Sequence, residues 1–300
     1  MLSIVIPYYK LRFFEATLES LANQTDRRFK VYIGDDASQE NPSDLLEKYK
    51  KKFDFVYHRF DNNLGGTSLT QQWERCIALS GNGEWLMILG DDDYLEENVV
   101  ASWYDNYDSF CQKSEVIRFA TKIVNEISGI ISKTFYHPEF ETAGDSWYRK
   151  FKGQTRSSLS EYTFSKESYH QFGFKDYPLA WHSDDRIWLD FANGKPIYTI
   201  NESTVYIRES NISISGKQDN IDLKYLASLQ FFKDLIFEKN QIFNKKQYLE
   251  ILLNYEVKIK RKRKLTLKEW GIMFQIYLKN FSVTPFLKFV RRFVINMFKL

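Results

Sequence analysis

Carboxylates cluster at three points of the chain. Asp91, Asp92 and Asp93 stand side by side directly after the apolar run Trp85-Leu-Met-Ile-Leu. Asp35 and Asp36 follow Phe29-Lys-Val-Tyr-Ile-Gly, and Asp184 and Asp185 precede Arg186-Ile-Trp-Leu. Adjacent carboxylates at the end of a buried strand repel one another. A fold keeps them there when a cation neutralises them, or when they act as solvated caps. Oxygen-only ligation suits Mg²⁺ or Mn²⁺, metals that are usually shared with substrate phosphates. Read structurally, Asp93 would be the N-cap of a helix at 94–104. Asp35-Asp36-Ala-Ser would be an Asx-turn, and the third pair the acidic first turn of a helix at 185–192.

Either role requires elements that hold these residues in place. Ser3-Ile-Val-Ile-Pro-Tyr-Tyr reads as a buried strand, Phe29-Lys-Val-Tyr-Ile-Gly and Phe53-Asp-Phe-Val-Tyr-His as a second and third strand, and Trp85-Leu-Met-Ile-Leu as a fourth, fully apolar one. Residues 13–24, 42–53 and 67–79 read as the helices between them, the second with Pro42 just inside its start and Asn41 as N-cap. This alternation predicts an α/β fold, a mostly parallel central sheet with helices on both faces. Ligands bind at the carboxyl ends of such strands. Three of the four expected ends carry polar chemistry: Tyr8/Tyr9, Asp35/Asp36 and Asp91–Asp93. Farther on, 116–124 and 197–200 are strand-like and 184–192 is helical.

The 300 residues are 43% hydrophobic and 27% charged, with mean hydropathy −0.45, which describes a globular chain. Cys76 and Cys111 cannot make a disulfide framework, so a reducing compartment is expected. The amino-terminal run reads as a strand rather than a signal peptide, and no uncharged apolar run reaches the ~18 residues that span a bilayer. The expected location is cytoplasmic. The net charge of +3 conceals +11 on residues 241–300 against −8 on the rest. A dense basic block, Lys258-Ile-Lys-Arg-Lys-Arg-Lys, lies within this tail. After Pro285, Phe286, Leu287, Phe289, Val290, Phe293, Val294, Met297 and Phe298 alternate with Lys288, Arg291, Arg292 and Lys299 as an amphipathic helix. Trp270, Phe274, Tyr277 and Phe281 form a second stripe. The reading adopted is a helical extension over 258–300 that meets an anionic membrane surface on the inner face of the cell membrane. The alternative is that both stripes pack on the body of the protein. No recognition motif accompanies the charge, so nucleic acid is not an expected partner.

The order of motifs resembles the family-2 glycosyltransferases. It runs Ser3-Ile-Val-Ile-Pro-Tyr-Tyr, Leu18-Glu-Ser-Leu-Ala-Asn-Gln-Thr, Gly34-Asp-Asp-Ala-Ser, Asn63-Leu-Gly, Gly83-Glu-Trp and Gly90-Asp-Asp-Asp-Tyr-Leu. The likeness covers residues 1–100 and returns near 180–211. It implies the GT-A nucleotide-diphospho-sugar fold; the charge shift alone sets the boundary between a transferase domain over 1–240 and the basic tail over 241–300. Within that domain 1–100 would be the nucleotide-binding half and 101–240 the acceptor half. The resemblance also implies inverting transfer from a nucleotide-sugar donor, taken as a UDP-sugar, to a hydroxyl of a glycan or lipid-linked glycan. Polysaccharide of a bacterial cell envelope would be the product class.

Residue by residue, it places Pro7, Tyr8, Asp35, Asp36, Asn63, Gly65 and Asp91 on the nucleotide. Asp92 and Asp93 fall on the divalent cation, with Gly90 where a common family form has its first Asp. Asp184 or Asp185 falls on the catalytic base. Tyr206-Ile-Arg208 and Asn211-Ile-Ser match the family's last strand, with Arg208 toward the diphosphate or acceptor. Thr70-Gln-Gln-Trp73 departs from the family's Arg-Asn, and Trp73 reads as core. Two other readings remain: a non-catalytic nucleotide- or glycan-binding partner of the same fold, and a sugar nucleotidyltransferase. The second would need a glycine-rich phosphate loop that Pro7-Tyr-Tyr-Lys-Leu-Arg lacks.

Overall fold

The computed structural model describes residues 1–81, 83–210 and 220–298. The chain runs β1 (Leu2–Tyr8), α1 (Phe14–Ala22), β2 (Phe29–Asp35), α2 (Ser43–Tyr49), β3 (Phe55–Arg59), α3 (Leu69–Ala78), β4 (Trp85–Ile88) and β5 (Tyr94–Leu95). Then come α4 (Val99–Asp105), α5 (Tyr107–Phe110), β6 (Val116–Asn125), β7 (Phe140–Glu141), α6 (Ala143–Phe151), β8 (Tyr162–Ser165), α7 (Lys166–Phe172), α8 (Ser183–Phe191) and β9 (Ile197–Glu209). Four helices follow: α9 (Ile221–Phe237), α10 (Lys245–Lys260), α11 (Leu267–Lys279) and α12 (Val283–Phe298).

Among the described residues, nine strands form one sheet in the order β3-β2-β1-β4-β8-β6-β9-β5, with β7 on β9. β1 pairs in parallel with β2 and β4, and β2 with β3, so their carboxyl ends share one edge. The two-residue period of a strand sorts the core. Leu2, Ile4, Ile6 and Tyr8 point to the side covered by Phe14, Leu18 and Leu21 of α1 and Trp103 of α4. Val5, Leu86 and Ile88 point to the other side, under Trp73, Cys76 and Ile77 of α3 and Ile187, Trp188 and Phe191 of α8. Helices therefore cover both faces, as the alternation predicts.

Several elements differ from expectation for local reasons. α2 ends at Tyr49 because Phe53, expected to open β3, turns inward against Phe29 and Phe55, with ring centroids 6.2 and 5.6 Å away. The Asn41 side chain accepts from the Ser43 N–H at 3.0 Å, but Pro42 takes the capping place. The chain after Asp93 is extended, not helical: β5 pairs antiparallel with β9, Tyr94 stacks on Tyr206 at 4.6 Å, and α4 starts at Val99. Asp93 is therefore not a helix cap. β8, unseen in the sequence, runs antiparallel between β4 and β6. β9 continues nine residues past the expected 200, and its register against β6 shifts between Phe119 and Ala120.

The chain divides into two compact units, Met1–Lys224 and Tyr225–Leu300. The division falls inside α9 rather than at the charge shift near 240. In the second unit α10 and α11 each begin with a reciprocal capping box, Asn244 with Gln247 and Thr266 with Glu269.

In the first unit a buried ion network joins α6 to the sheet. Arg118 of β6, fully buried, donates to Ser146 Oγ at 2.6 Å, Glu141 Oε2 at 3.0 Å and Thr199 Oγ1 at 3.1 Å. Glu141 also accepts from Arg149 at 2.5 and 2.7 Å. Replacing Arg118 by Ala should cost about 3 kcal/mol, the lower end for a broken buried pair because Arg149 still neutralises Glu141. Urea unfolding of the Arg118→Ala variant measures this.

Candidate active site

A cleft of about 670 Å³ opens at the carboxyl edge of the sheet. Pro7, Asp91, Asp92, Asp93, Asp184, Asp185 and Arg208 all line it. The sequence thus brings residues from four distant segments to one place.

The acidic triplet is distributed over separate donors. Asp91 Oδ2 accepts the backbone N–H groups of Tyr9 and Lys10, both at 2.7 Å. Asp93 Oδ1 accepts the Arg208 N–H at 2.8 Å, and its Oδ2 accepts the Ser160 hydroxyl at 2.6 Å. Among the described residues, no other side chain donates a hydrogen bond to the Asp92 carboxylate. Arg208 holds the loop from behind: its Nε donates to the Asp92 carbonyl at 2.8 Å, another guanidinium nitrogen meets Glu126, and it lies over Phe13 at 4.4 Å. Arg208 thus positions this loop and also lines the cleft, on the side where the resemblance implies the diphosphate or acceptor. Burial pushes the Asp91 and Asp92 carboxyls up to about 6, Asp92 with help from Asp91. Burial and then Asp92 push Asp93 up to about 7. A Cβ on Gly90 would stand 3.0 Å from Asp92 Oδ1 and 3.1 Å from Asp93 Oδ2, so the glycine relieves crowding at the two carboxylates.

The other acidic pair sits in the first turn of α8. The segment entering it holds Leu179, Ala180 and His182 at φ of 61°, 51° and 72°, conformations that cost free energy in non-glycine residues. Asp185 is buried and pinned, accepting Lys150 Nζ at 2.6 Å and paired with His182 Nδ1 at 2.7 Å. Burial pushes its carboxyl up, but Lys150 and His182 outweigh that and hold it at about 2. Asp184 lies 3.9 Å from the same Nζ. Burial, with Asp185 beside it, raises its carboxyl above the usual range despite Lys150. Burial works against the Lys150 ammonium, and the two carboxylates reverse this and keep it charged. One carboxylate is thus locked ionised, and its neighbour is left readier to take a proton.

Five expected nucleotide residues do not line the cleft. Tyr8 is fully buried against Phe14, 4.7 Å between centroids, with its hydroxyl on the Glu40 carbonyl at 2.7 Å. The strand period that puts Pro7 at the cleft puts Tyr8 in the core, so its ring is not a base platform. Asp35 is consumed by the Tyr57 hydroxyl at 2.6 Å, Arg59 at 2.7 Å and the Ser38 N–H at 2.8 Å. Asp36 accepts the Leu64 and Gly65 N–H groups at 2.7 and 2.9 Å and pairs with Arg75. Gly65 is required there, since a Cβ would come within 2.6 Å of Asp36 Oδ2. Asn63 Oδ1 accepts the Gly66 N–H at 2.6 Å. Asn211-Ile-Ser lies outside the described residues. Trp73 packs edge-on against Phe174 at 5.8 Å, as expected of a core residue, although it also borders the cleft.

A family model described as "Glycosyl transferase family 2" matches residues 3–160, more than half of the chain. The chain belongs to this family. Among curated relatives, a poly(ribitol-phosphate) beta-glucosyltransferase of Bacillus spizizenii is 32% identical over 109 residues, 35% of this chain and 17% of that protein. The poly(ribitol-phosphate) beta-N-acetylglucosaminyltransferase TarS of Staphylococcus aureus is 27% identical over 114 residues, 36% of this chain and 19% of that protein. The chain thus spans less than a fifth of the length of either. The crystal structure of S. aureus TarS 1–349 in complex with UDP-GlcNAc superposes with TM-score 0.66 at 16% identity, covering 98% of this chain and 81% of that one. The fold is GT-A, with a helical carboxy-terminal region, as the family resemblance implies.

Within the family-2 fold, sequence reasoning missed Lys150, the Arg156–Ser160 stretch and Lys10, all at the cleft. None belongs to the motifs that carry the resemblance, and only the amphipathic pattern of 143–151 hinted that Lys150 sits on a docked helix. Among the described residues no three His, Cys, Asp or Glu side chains are grouped to hold a metal unaided. The donor set fits a cation shared with a ligand at Asp92. It fits poorly at Asp93, whose oxygens are both taken.

The buried cation gives a pH-signed prediction. In the native protein Asp185 sits below its unfolded value, so its stabilisation is complete above roughly pH 4 and is lost as pH falls through about 2. In Lys150→Met the buried carboxyls titrate above their unfolded values. Their penalty is then full at neutral pH and fades as acid protonates them. The variant should lose about 3–5 kcal/mol at pH 7 and distinctly less at pH 4, read from denaturant unfolding at both values.

Proposed function

We propose that this protein is an inverting glycosyltransferase that moves a sugar from a nucleoside-diphosphate donor to a hydroxyl of a glycan or lipid-linked glycan. A UDP-sugar is the donor we favour. The observation that carries the reading is the unequal state of the carboxylates in one cleft: Asp185 pinned, Asp184 raised and beside it, and Asp92 with no side-chain donor among the described residues.

Asp184 accepts the proton of the acceptor hydroxyl as its oxygen attacks the anomeric carbon. The nucleoside diphosphate departs from the opposite face, so configuration inverts. A positioned general base of this kind contributes about 10²–10⁴-fold. Lys150 and Asp185 hold Asp184 in place and keep the pair from losing its charge balance. Asp92 would hold Mg²⁺ or Mn²⁺, and such a cation supplies Lewis-acid neutralisation of a diphosphate leaving group. Asp91 and Asp93 shape the loop that presents Asp92. Pro7 borders the donor directly. Asp36 acts on the donor side indirectly, by fixing the Asn63–Gly65 loop and Arg75. The product class that the relatives suggest is a cell-envelope polymer.

The test is a pair of substitutions. Asp184→Asn should lower turnover by about 10²–10⁴-fold while leaving the affinity for nucleoside diphosphate with Mn²⁺ nearly unchanged. Asp92→Asn should remove the Mn²⁺-dependent part of the thermal shift given by UDP, along with transfer. Equal loss of nucleotide binding in the two variants refutes the division of labour. Silence of the wild-type protein toward every nucleoside diphosphate, with or without Mn²⁺, refutes the whole assignment.

A further inference from the structure

The second unit carries a surface that the cleft chemistry does not use. Its two aromatic stripes are largely spent on each other: Trp270 of α11 meets Phe289 and Phe293 of α12 at 5.4 and 5.3 Å, and Tyr277 stacks on Phe289 at 4.6 Å. Much of the basic block is occupied too. Lys260 pairs with Glu256 at 2.6 Å, Arg263 pairs with Glu269 at 2.6 Å, and Lys258 lies over Phe232 at 4.7 Å. Arg292 reaches Glu256 at 2.8 and 2.9 Å. Part of each stripe and of the basic block is therefore spent on packing within this unit.

A different face is left over. On α12, Val283, Leu287, Val294 and Met297 recur at helical spacing on the side away from Phe289, and Leu287 is 61% exposed. On α11, Leu267, Phe274 and Leu278, followed by Phe281, form a matching exposed row. Phe286 joins the two rows, its ring 5.8 Å from Phe274 and 5.4 Å from Phe281. The patch is thus continuous across the hairpin. Lys268, Lys279, Lys288 and Arg291 are exposed on the same two helices or at their ends, with no ion pair among the described residues. The one acidic residue on these helices, Glu269, is taken by Arg263.

We propose that the α11–α12 hairpin is a docking face for an anionic lipid surface. The apolar rows enter the headgroup boundary, and Lys288, Arg291, Lys279 and Lys268 meet lipid phosphates. No described helix is long and apolar enough to cross a membrane, which agrees with a helix pair lying on one. A second copy of the chain suits the face less well, because it would set like charges against one another with no acidic residue to meet them. The inference does not rest on the assigned transfer chemistry.

Flotation of the full chain with phosphatidylcholine vesicles, with and without phosphatidylglycerol, tests it without any donor present. The protein should float with the anionic vesicles at low salt and remain behind with phosphatidylcholine alone. The double variant Lys288→Glu/Arg291→Glu should weaken partitioning by about tenfold or more, and Leu287→Ser/Phe281→Ser should weaken it as well. Circular dichroism and the nucleotide-dependent thermal shift should stay unchanged in both, which separates lost docking from lost folding. Wild-type protein left at the bottom of the gradient with anionic vesicles overturns the proposal. So does equal flotation of the charge-reversed variant, or a dimer in light scattering that Leu287→Ser dissociates.

Discussion

Three consecutive carboxylates, one buried and two half-buried at the end of a strand, repel one another, and the edge of the sheet around them is arranged to offset that repulsion. Asp91 is neutralised by two N–H groups where β1 ends. Asp93 is neutralised by a backbone N–H of β9 and a serine just before β8. These two contacts draw the ends of β1, β4, β8 and β9 together, which is also what makes a cleft there. The middle carboxylate is what remains, and it is the one able to face a ligand. Chemical availability at Asp92 is therefore a consequence of how its neighbours are satisfied, not of its own contacts.

The second acidic pair obeys the same logic with a different partner. Its neutralising charge, Lys150, rides on α6, and α6 is fastened by the Arg118–Glu141–Arg149 network to β6, β7 and β9. A buried ion network thus fixes an ammonium 2.6 Å from Asp185. Burial that would otherwise protonate both carboxyls instead separates them, one locked and one raised. A pair of groups pushed apart in this way is a frequent physical mark of acid–base chemistry.

Much of this was legible in the residues alone. The alternation of apolar runs and helical spacings gave β1 through β4 and their helices within a few positions, because β1, β2 and β4 are covered on both faces and the pattern is strong; β3, at the sheet edge, is half exposed. The place of Asp91–Asp93 at the carboxyl edge follows from the rule that parallel strands end together, whereas Asp184 and Asp185, in the first turn of α8, come to the site only through the family resemblance. The failures have identifiable causes. The resemblance implies Tyr8 on the nucleotide, whereas the period that buries Leu2, Ile4 and Ile6 buries it too. Asp35 and Asp36 sit at a strand end, yet Tyr57, Arg59 and Arg75, none of them in a recognised motif, claim their oxygens. Lys150 lay beyond reach because nothing in a linear chain reports which cation will stand under a distant helix. In the basic tail, charge density in sequence does not reveal which charges are paired in space: Lys260, Arg263 and Arg292 meet Glu256 and Glu269, whereas Lys288 and Arg291 make no ion pair among the described residues.

An anomalous difference map from a crystal grown with Mn²⁺ and UDP tests the central claim most directly. The account predicts a single manganese peak coordinated by the Asp92 carboxylate and the diphosphate, with Asp184 unligated in the same cleft. A peak coordinated by Asp184, or a nucleotide bound with Asp92 turned away from it, would contradict the account.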